Sequence, residues 1–249
     1  MLRTTRRASI IAALQTSGEV SVQDLADQFG VSLSTIRRDL NDLGREGLLQ
    51  RVRGGGSVDP DPAPFHQIAP THAKEKDRLG QRAAELVHDG DVIICDIGTT
   101  VAQVARHLRG RRVTVITASL AVIDALRDSP ETELIVLGGV FRPSYLSLVG
   151  ALTESALSQI TADIAFLGAS GVRSDGSLLD STGIEVPVKR AILRAAERSV
   201  LVVADDKFPG TGLLAVCGPE SIGTVVTSRH DSNEALDALR RAGSEVLIG

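Results

Sequence analysis

Residues 89–100 read DGDVIICDIGTT. The run Val92–Cys95 is apolar throughout, which suits a strand covered on both faces. The loop that follows, from Asp96 to Thr100, leads into a helix expected at about 100–109. Gly98 permits close backbone approach, Thr99 and Thr100 offer hydroxyls, and a helix start presents free N–H groups. Together they form an anion site suited to phosphate. Taken alone, the fragment also reads as a plain strand-to-helix turn capped by Thr. No Gly-Lys-Ser/Thr follows, so it is not a Walker loop, and the dinucleotide fingerprint GxGxxG is missing.

The same alternation extends outward. Strands are expected at Val92–Cys95, Val113–Thr117, Leu134–Leu137, Ile164–Leu167, Val200–Ala204, Thr224–Thr227 and Glu245–Ile248. Helices fit at about 75–88, 100–109, 119–128, 152–160, 184–197 and 232–242. Apolar strands separated by helices imply an α/β domain with a mostly parallel sheet covered on both faces. Ligands gather outside the carboxyl ends of strands in such sheets. Besides the Gly98 loop, Leu137-Gly138-Gly139, Gly168–Gly171, Asp175-Gly176 and Asp205-Asp206-Lys207 occupy such positions. Glu185 and Lys189 stand four apart on a predicted helix, where a surface salt bridge is the plainer explanation.

Toward the N-terminus, residues 57–73 (SVDPDPAPFHQIAPTHA) hold four Pro and almost no periodicity, as an extended linker does. Before them lie three short helical patterns. Ile10, Ile11 and Leu14 stripe the first. Ser21 caps the second, which carries Leu25 and Phe29 and stops at Gly30. Ser32 caps the third, whose inner face is Ile36, Leu40 and Leu43. Leu48–Arg53 is strand-like and ends at Gly54-Gly55-Gly56. A helix, a tight turn and a second helix suggest a helix-turn-helix with a wing. Ser34, Thr35, Arg37 and Arg38 then point outward near the start of the recognition helix, with Arg51 and Arg53 on the wing. Asp39 would repel phosphates, so it is expected to pair with Arg38 or a neighbouring Arg. A three-helix protein-interaction module with a solvated Arg face is the alternative for periodicity alone.

Residues 1–56 carry eight Arg against six acids, a balance of +2, while the remainder holds 19 basic and 25 acidic residues, a balance of −6. A basic head on an acidic body suits a nucleic-acid reader joined to a sensor. No apolar run approaches a membrane span, and the basic N-terminus lacks the apolar region of a signal peptide, so no membrane is expected and the cytoplasm is the default compartment. Cys95 and Cys217 are too few for a metal cluster and read as buried thiols. No cofactor or metal is expected.

The stretch STIRRDL at 34–40, with Leu43 and then RGGG at 53–56, closely resembles the DeoR family of bacterial regulators. From about Lys74 to Ser228 the body resembles that family's sensor domain, in DGDVIICDIGTT, in LGG with Arg142 and SLVG, in DIAFLGASGV with SDGSL, in Glu185–Lys189, and in DDKF at 205–208. The resemblance implies an N-terminal winged helix-turn-helix over residues 1–56, a linker over 57–73, and over 74–249 an effector-sensing α/β domain folded like ribose-5-phosphate isomerase. It implies a DNA-reading helix, so Ser34, Thr35, Arg37, Arg38, Arg51 and Arg53 are candidates for contacts to double-stranded operator DNA. A phosphorylated sugar or polyol effector is implied too, with Asp96, Gly98, Thr99, Thr100, Gly139, Glu185, Lys189 and Lys207 as candidate ligand residues. The expected function is a ligand-controlled repressor of a carbohydrate or polyol operon, working as a homodimer or higher homo-oligomer. The rival is a sugar-phosphate isomerase with an appended DNA-binding head. Asp96, Asp175, Glu185 and Asp205 could serve it as acid/base groups, but no catalytic constellation is visible.

Overall fold

A computed structural model of the protein describes residues 3–17, 19–45, 50–52, 55–57, 64–231 and 233–249. The head comprises α1 (Arg3–Ser17), β1 (Glu19–Ser21), α2 (Val22–Phe29), α3 (Leu33–Arg45), β2 (Gln50–Val52) and β3 (Gly55–Ser57). Ser21 caps α2 through Asp24 N at 2.9 Å, and Gly30 ends it in the left-handed region at φ 63°. Ser32 Oγ accepts from Thr35 N at 3.2 Å at the start of α3. Ile10, Leu25, Ala26, Ile36, Leu40 and Leu43 close the head's core, as the helical spacing predicts. β3 pairs antiparallel with both β1 and β2, so Gly55-Gly56 extends the wing as its central strand rather than ending it. Without a side chain, Gly55 lets β3 pass Val20, whose carbonyl oxygen lies 2.1 Å from where a Cβ would stand.

Part of the region read as linker is structured. Residues 58–63 lie outside the described set, but α4 (Phe65–Ile68) is a helical turn and α5 (Ala73–Ala84) begins about two residues earlier than expected. Phe65 N donates to Ser144 O at 2.7 Å, which fastens this segment to the body.

The body continues through β4 (Val92–Cys95), α6 (Thr99–His107), β5 (Thr114–Thr117), α7 (Leu120–Leu126) and β6 (Glu133–Val136). A hairpin of β7 (Val140–Arg142) and β8 (Ser147–Val149) leads to α8 (Ala151–Leu157) and β9 (Ala162–Leu167). Then come β10 (Gly171–Val172), β11 (Leu178–Asp180), α9 (Glu185–Ala195), β12 (Ala196–Val203), β13 (Leu214–Cys217), β14 (Thr224–Thr227), α10 (Glu234–Arg241) and β15 (Glu245–Ile248). All seven predicted strands fall in one parallel sheet, ordered β15-β14-β12-β9-β4-β5-β6. Renumbered along the chain from β4, that order is the doubly wound 3-2-1-4-5-6 with a seventh strand added. Apolar clusters cover both faces: Ile93, Cys95, Val115 and Phe166 join one, Ile94, Ile116, Ala165 and Leu167 the other. The small sheet β10-β11-β13 and the β7–β8 hairpin were not foreseen. Cys95 is buried and its thiol is pushed up to about 12 by burial, whereas Cys217, expected to be buried, is half-exposed.

Head and body meet. Leu213, on the segment leading into β13, is buried within the head's own apolar cluster.

Candidate functional sites in head and body

On α3, Ser34, Arg37 and Arg38 are exposed and Thr35 is half-exposed, while Ile36, Asp39 and Leu40 face inward. Neither Arg37 nor Arg38 has an ion-pair partner among the described residues. Asp39 pairs with an Arg, as expected, but it is buried and the partner is Arg6, whose Nε donates at 2.5 Å, rather than Arg38. A carboxylate sealed inside the helix bundle turns away from any phosphate approaching the outer face, and its cation comes from α1. Arg51 lies on β2 of the wing; Arg53 lies outside the described residues. One helix face thus carries two hydroxyls and two cations in contiguous positions, the chemistry that meets phosphates and base edges.

In the body, the chain leaves β4 toward β5 on one side and leaves β9 toward β12 on the other. Between these two strands the connections diverge and open a crevice at the carboxyl edge. A pocket of about 290 Å³ lies there, lined by Gly98, Thr99 and Thr100 after β4 and by Gly168, Ala169 and Ser170 after β9. Gly98 has φ 114°, a conformation that an L side chain rarely adopts. Ala102 N is the first donor of α6 to bond back, to Gly98 O at 3.0 Å, so the N–H groups of Thr99, Thr100 and Val101 precede the helical ladder. The anion features expected of the loop therefore face a cavity.

Lys189 reaches the same pocket from α9. It is buried, bonds Asp96, donates to Gly168 O at 3.0 Å, and stands 3.6 Å from Asp180 Oδ2. Burial opposes its charge, but Asp96 and Asp180 outweigh that and raise its pKa, so the ammonium persists. Asp96 sits beneath the wall rather than on it, also accepting from Gly168 N at 3.2 Å. Lys189 is thus the cation of a buried triad that stitches β4, β9 and β11 together.

Glu185 departs from expectation. It is buried, not at a helix surface, and accepts from Arg142 Nη1 at 2.6 Å and Ser147 Oγ at 2.8 Å. Burial raises its pKa against the pull of Lys189, Ser147 and Arg142. It does not line the pocket; it anchors α9 to the β7–β8 hairpin. Gly139 does not line it either. A Cβ there would meet Thr153 Oγ1 at 2.3 Å and Val149 O at 2.8 Å, so this glycine serves packing of the hairpin against α8. Asp175 is outside the pocket in an exposed pair with Arg173, and Asp205 pairs with Arg229.

Lys207 lines the pocket, with Asp206 Oδ2 at 3.2 Å. Opposite it stands Lys76, which the sequence reading missed. Burial and then the nearby Lys207 charge lower the Lys76 pKa. Its Nζ donates to Ile68 O at 2.7 Å, and Thr71 Oγ1 is 3.4 Å away. A signal was present: Lys76 falls on the buried stripe of α5 with Leu79, Gly80 and Ala83. Phe65, Ile68, Thr71 and His72 also line the pocket. The supposed linker is therefore part of its wall, with Tyr145 and Thr211 beside it. Among the described residues no His/Cys/Asp/Glu group suited to a metal is found, and no helix is long and apolar enough to cross a membrane.

Comparison with known proteins matches both regions. Residues 6–60 match the DeoR-like helix-turn-helix domain, and residues 71–229 the DeoR C terminal sensor domain. The glycerol-3-phosphate regulon repressor of Escherichia coli (strain K12) is 34% identical over 230 residues, covering 91% of each chain. The L-fucose operon activator of Haemophilus influenzae is 30% identical, covering 88% of this chain and 90% of that one. The HTH-type transcriptional repressor GlcR of Bacillus subtilis is 29% identical, covering 100% and 97%. Among solved structures, ribose 5-phosphate isomerase A from Methanocaldococcus jannaschii aligns at TM-score 0.41 and 23% identity, over 55% of this chain and 54% of that one.

Proposed function

On the premise that this chain belongs to the DeoR family, we propose that it is a DNA-binding transcriptional regulator whose head reads operator DNA and whose body reads a phosphorylated sugar or polyol. The observation that carries the effector reading is the place of the pocket. It lies at the divergence of β4 and β9, with a helix start, two Thr hydroxyls and three lysines around it, of which Lys76 and Lys207 are not held by the buried triad. The phosphate would take the N–H groups and hydroxyls of Thr99 and Thr100, and Lys76 and Lys207 would balance its charge. The hydroxyl of Ser170 would meet a sugar hydroxyl.

The protein works by binding, not by catalysis, and in the cytoplasm. Lys189 is held by two carboxylates and a carbonyl, and Glu185 by Arg142 and Ser147, so these groups are committed to the fold rather than poised for proton transfer. Repression of a carbohydrate or polyol operon is the sign we assign, as in the names of the E. coli and B. subtilis relatives. We divide the chain into a head that runs through Ser57, one residue past the expected 1–56, and a sensor at 74–249 whose pocket also takes in residues 64–73. Two heads act together, because one small head supplies too few contacts for an affinity of about 10⁻⁸ M or better.

Two routes link pocket and head. Lys76 holds the end of α4, so an anion competing for Lys76 loosens the segment that leads to the head. Thr211 on the pocket wall is two residues from Leu213 in the head's core. A 5- to 150-fold change in operator affinity needs a coupling of about 1–3 kcal/mol.

The test is a titration of DNA from the gene's own upstream region, followed by anisotropy. Glycerol 3-phosphate and a set of pentose and hexose phosphates are each compared with the dephosphorylated compound. At least one phosphorylated compound shifts the affinity fivefold or more, and its dephosphorylated form does not. Equal responses to both forms, or turnover of any sugar phosphate, contradict the reading.

A further inference from the structure

The parallel sheet ends at β6, whose outer edge no strand meets among the described residues. Glu133 N donates to Val113 O and Leu137 N to Thr117 O. Strand alternation therefore turns the N–H groups of Leu134 and Val136 away from β5. Leu134-Ile135-Val136 is apolar at three consecutive positions, the composition of a strand covered on both faces. Yet Ile135 is 41% and Val136 49% exposed. Val140 (67%) and Phe141 (46%) on β7 and Leu152 (72%) on α8 join them. Thr153 Oγ1 donates to Gly138 O at 2.7 Å, which brings the start of α8 against the segment joining β6 to β7. Five of the eight large apolar side chains exposed among the described residues thus lie within 135–152, on one side of the body.

We propose that this edge is the interface between two copies of the chain, with β6 pairing antiparallel to its counterpart across a twofold axis. The proposal rests on the reading that heads act in pairs, and it supplies the surface that pairs them. The geometry favours a second copy over an unrelated partner. Setting Leu134 opposite Val136 of the other copy brings outward-facing N–H and C=O groups together from both strands and puts Ile135 on the axis. Glu133 then lies opposite Leu137, so no like charges meet in the pairing. The five exposed side chains are uncharged, as in the core of a lasting interface. A twofold contact uses each such edge once and closes, whereas a free apolar edge invites open-ended association. The opposite edge strand, β15, has Val246 and Leu247 half-buried and begins with Glu245.

The full chain is examined by sedimentation velocity at micromolar concentration, as wild type, Ile135→Arg and Leu152→Asp. The wild type sediments as a dimer. Both variants shift to monomer with an unchanged far-ultraviolet spectrum, and operator affinity falls at least tenfold. Ile135→Cys supplies a positive signal that needs no loss of structure. Directly opposed residues of such a pair bring their Cα atoms within disulfide range, so mild oxidation links two chains in a reducible dimer. Arg241→Cys, on the exposed side of α10, does not cross-link. A monomeric wild type overturns both the paired-head reading and this interface. A dimeric wild type whose variants stay dimeric, with no cross-link through position 135, overturns the interface alone.

Discussion

The head and the body both present cations, in opposite ways. On α3, Arg37 and Arg38 stand in solvent on one contiguous helix face, and the acid next to them in sequence, Asp39, is drawn inside by Arg6. In the body, Lys189 is buried among groups from three strands, and its charge is spent on Asp96, Asp180 and Gly168. A surface that meets a polyanion along its length needs charges free to pair outward. A pocket for a small ligand needs a rigid frame, and leaves recognition to helix N–H groups, hydroxyls and a few cations at the rim. The two regions should therefore answer to mutation differently, stability being sensitive in one and salt-dependent affinity in the other.

The sharpest separation comes from removing one cation of each kind. Lys189→Met leaves Asp96 and Asp180 buried without a counter-charge, and should cost about 3–5 kcal/mol of stability in a denaturant titration. Arg38→Ala, on an exposed helix face, should change stability by no more than about 0.5 kcal/mol. If Lys189→Met unfolds at the wild-type midpoint, the triad is not the frame described.

Operator binding reverses the ranking. Arg37→Ala or Arg38→Ala should cost about 1–3 kcal/mol where the side chain reads a base. Where it meets phosphate, the loss is uniform across sequences and the slope of log affinity against log salt shrinks by about one. Gel shifts at several salt concentrations separate the two. An undiminished double variant removes α3 from the interface.

The smallest effect expected is one of pH. Burial and Lys207 lower the pKa of Lys76, so its charge is lost at a lower pH than that of an ordinary lysine. Affinity for a phosphorylated effector should fall as pH rises through that range, before lysines in general titrate. Lys76→Arg should flatten the profile, which calorimetric titration at several pH values checks. A wild-type profile unchanged until the ordinary lysine range would take Lys76 out of the site.

What the sequence disclosed follows the same division. Seven strands were legible because each centres on consecutive apolar residues, with polar ones such as Thr114, Thr117, Thr224, Thr227 and Glu245 only at or near its ends. The α3 face was legible because Ile36, Leu40 and Leu43 fix which residues must point outward. Contacts between distant positions were not. Arg6 finds Asp39 across 33 residues and Lys189 finds Asp96 across 93, and nothing local marks either pair. Glu185 read as half of a helix-surface pair because its spacing to Lys189 is right; its partners Arg142 and Ser147 lie on a hairpin too short to announce itself. The four prolines of 57–73 concealed Phe65 and Ile68, which a turn of helix places against the pocket.

On the proposed function, the loop of Gly98, Thr99 and Thr100 receives the phosphate whose binding alters the head's hold on DNA. The measurement is an operator titration of the wild type and of the Thr99→Val/Thr100→Val variant, with and without the phosphorylated compound that shifts the wild type. The variant is expected to bind operator as the wild type does without effector, and to lose the effector's roughly 5- to 150-fold influence at the same effector concentration. An undiminished response in the variant would contradict it.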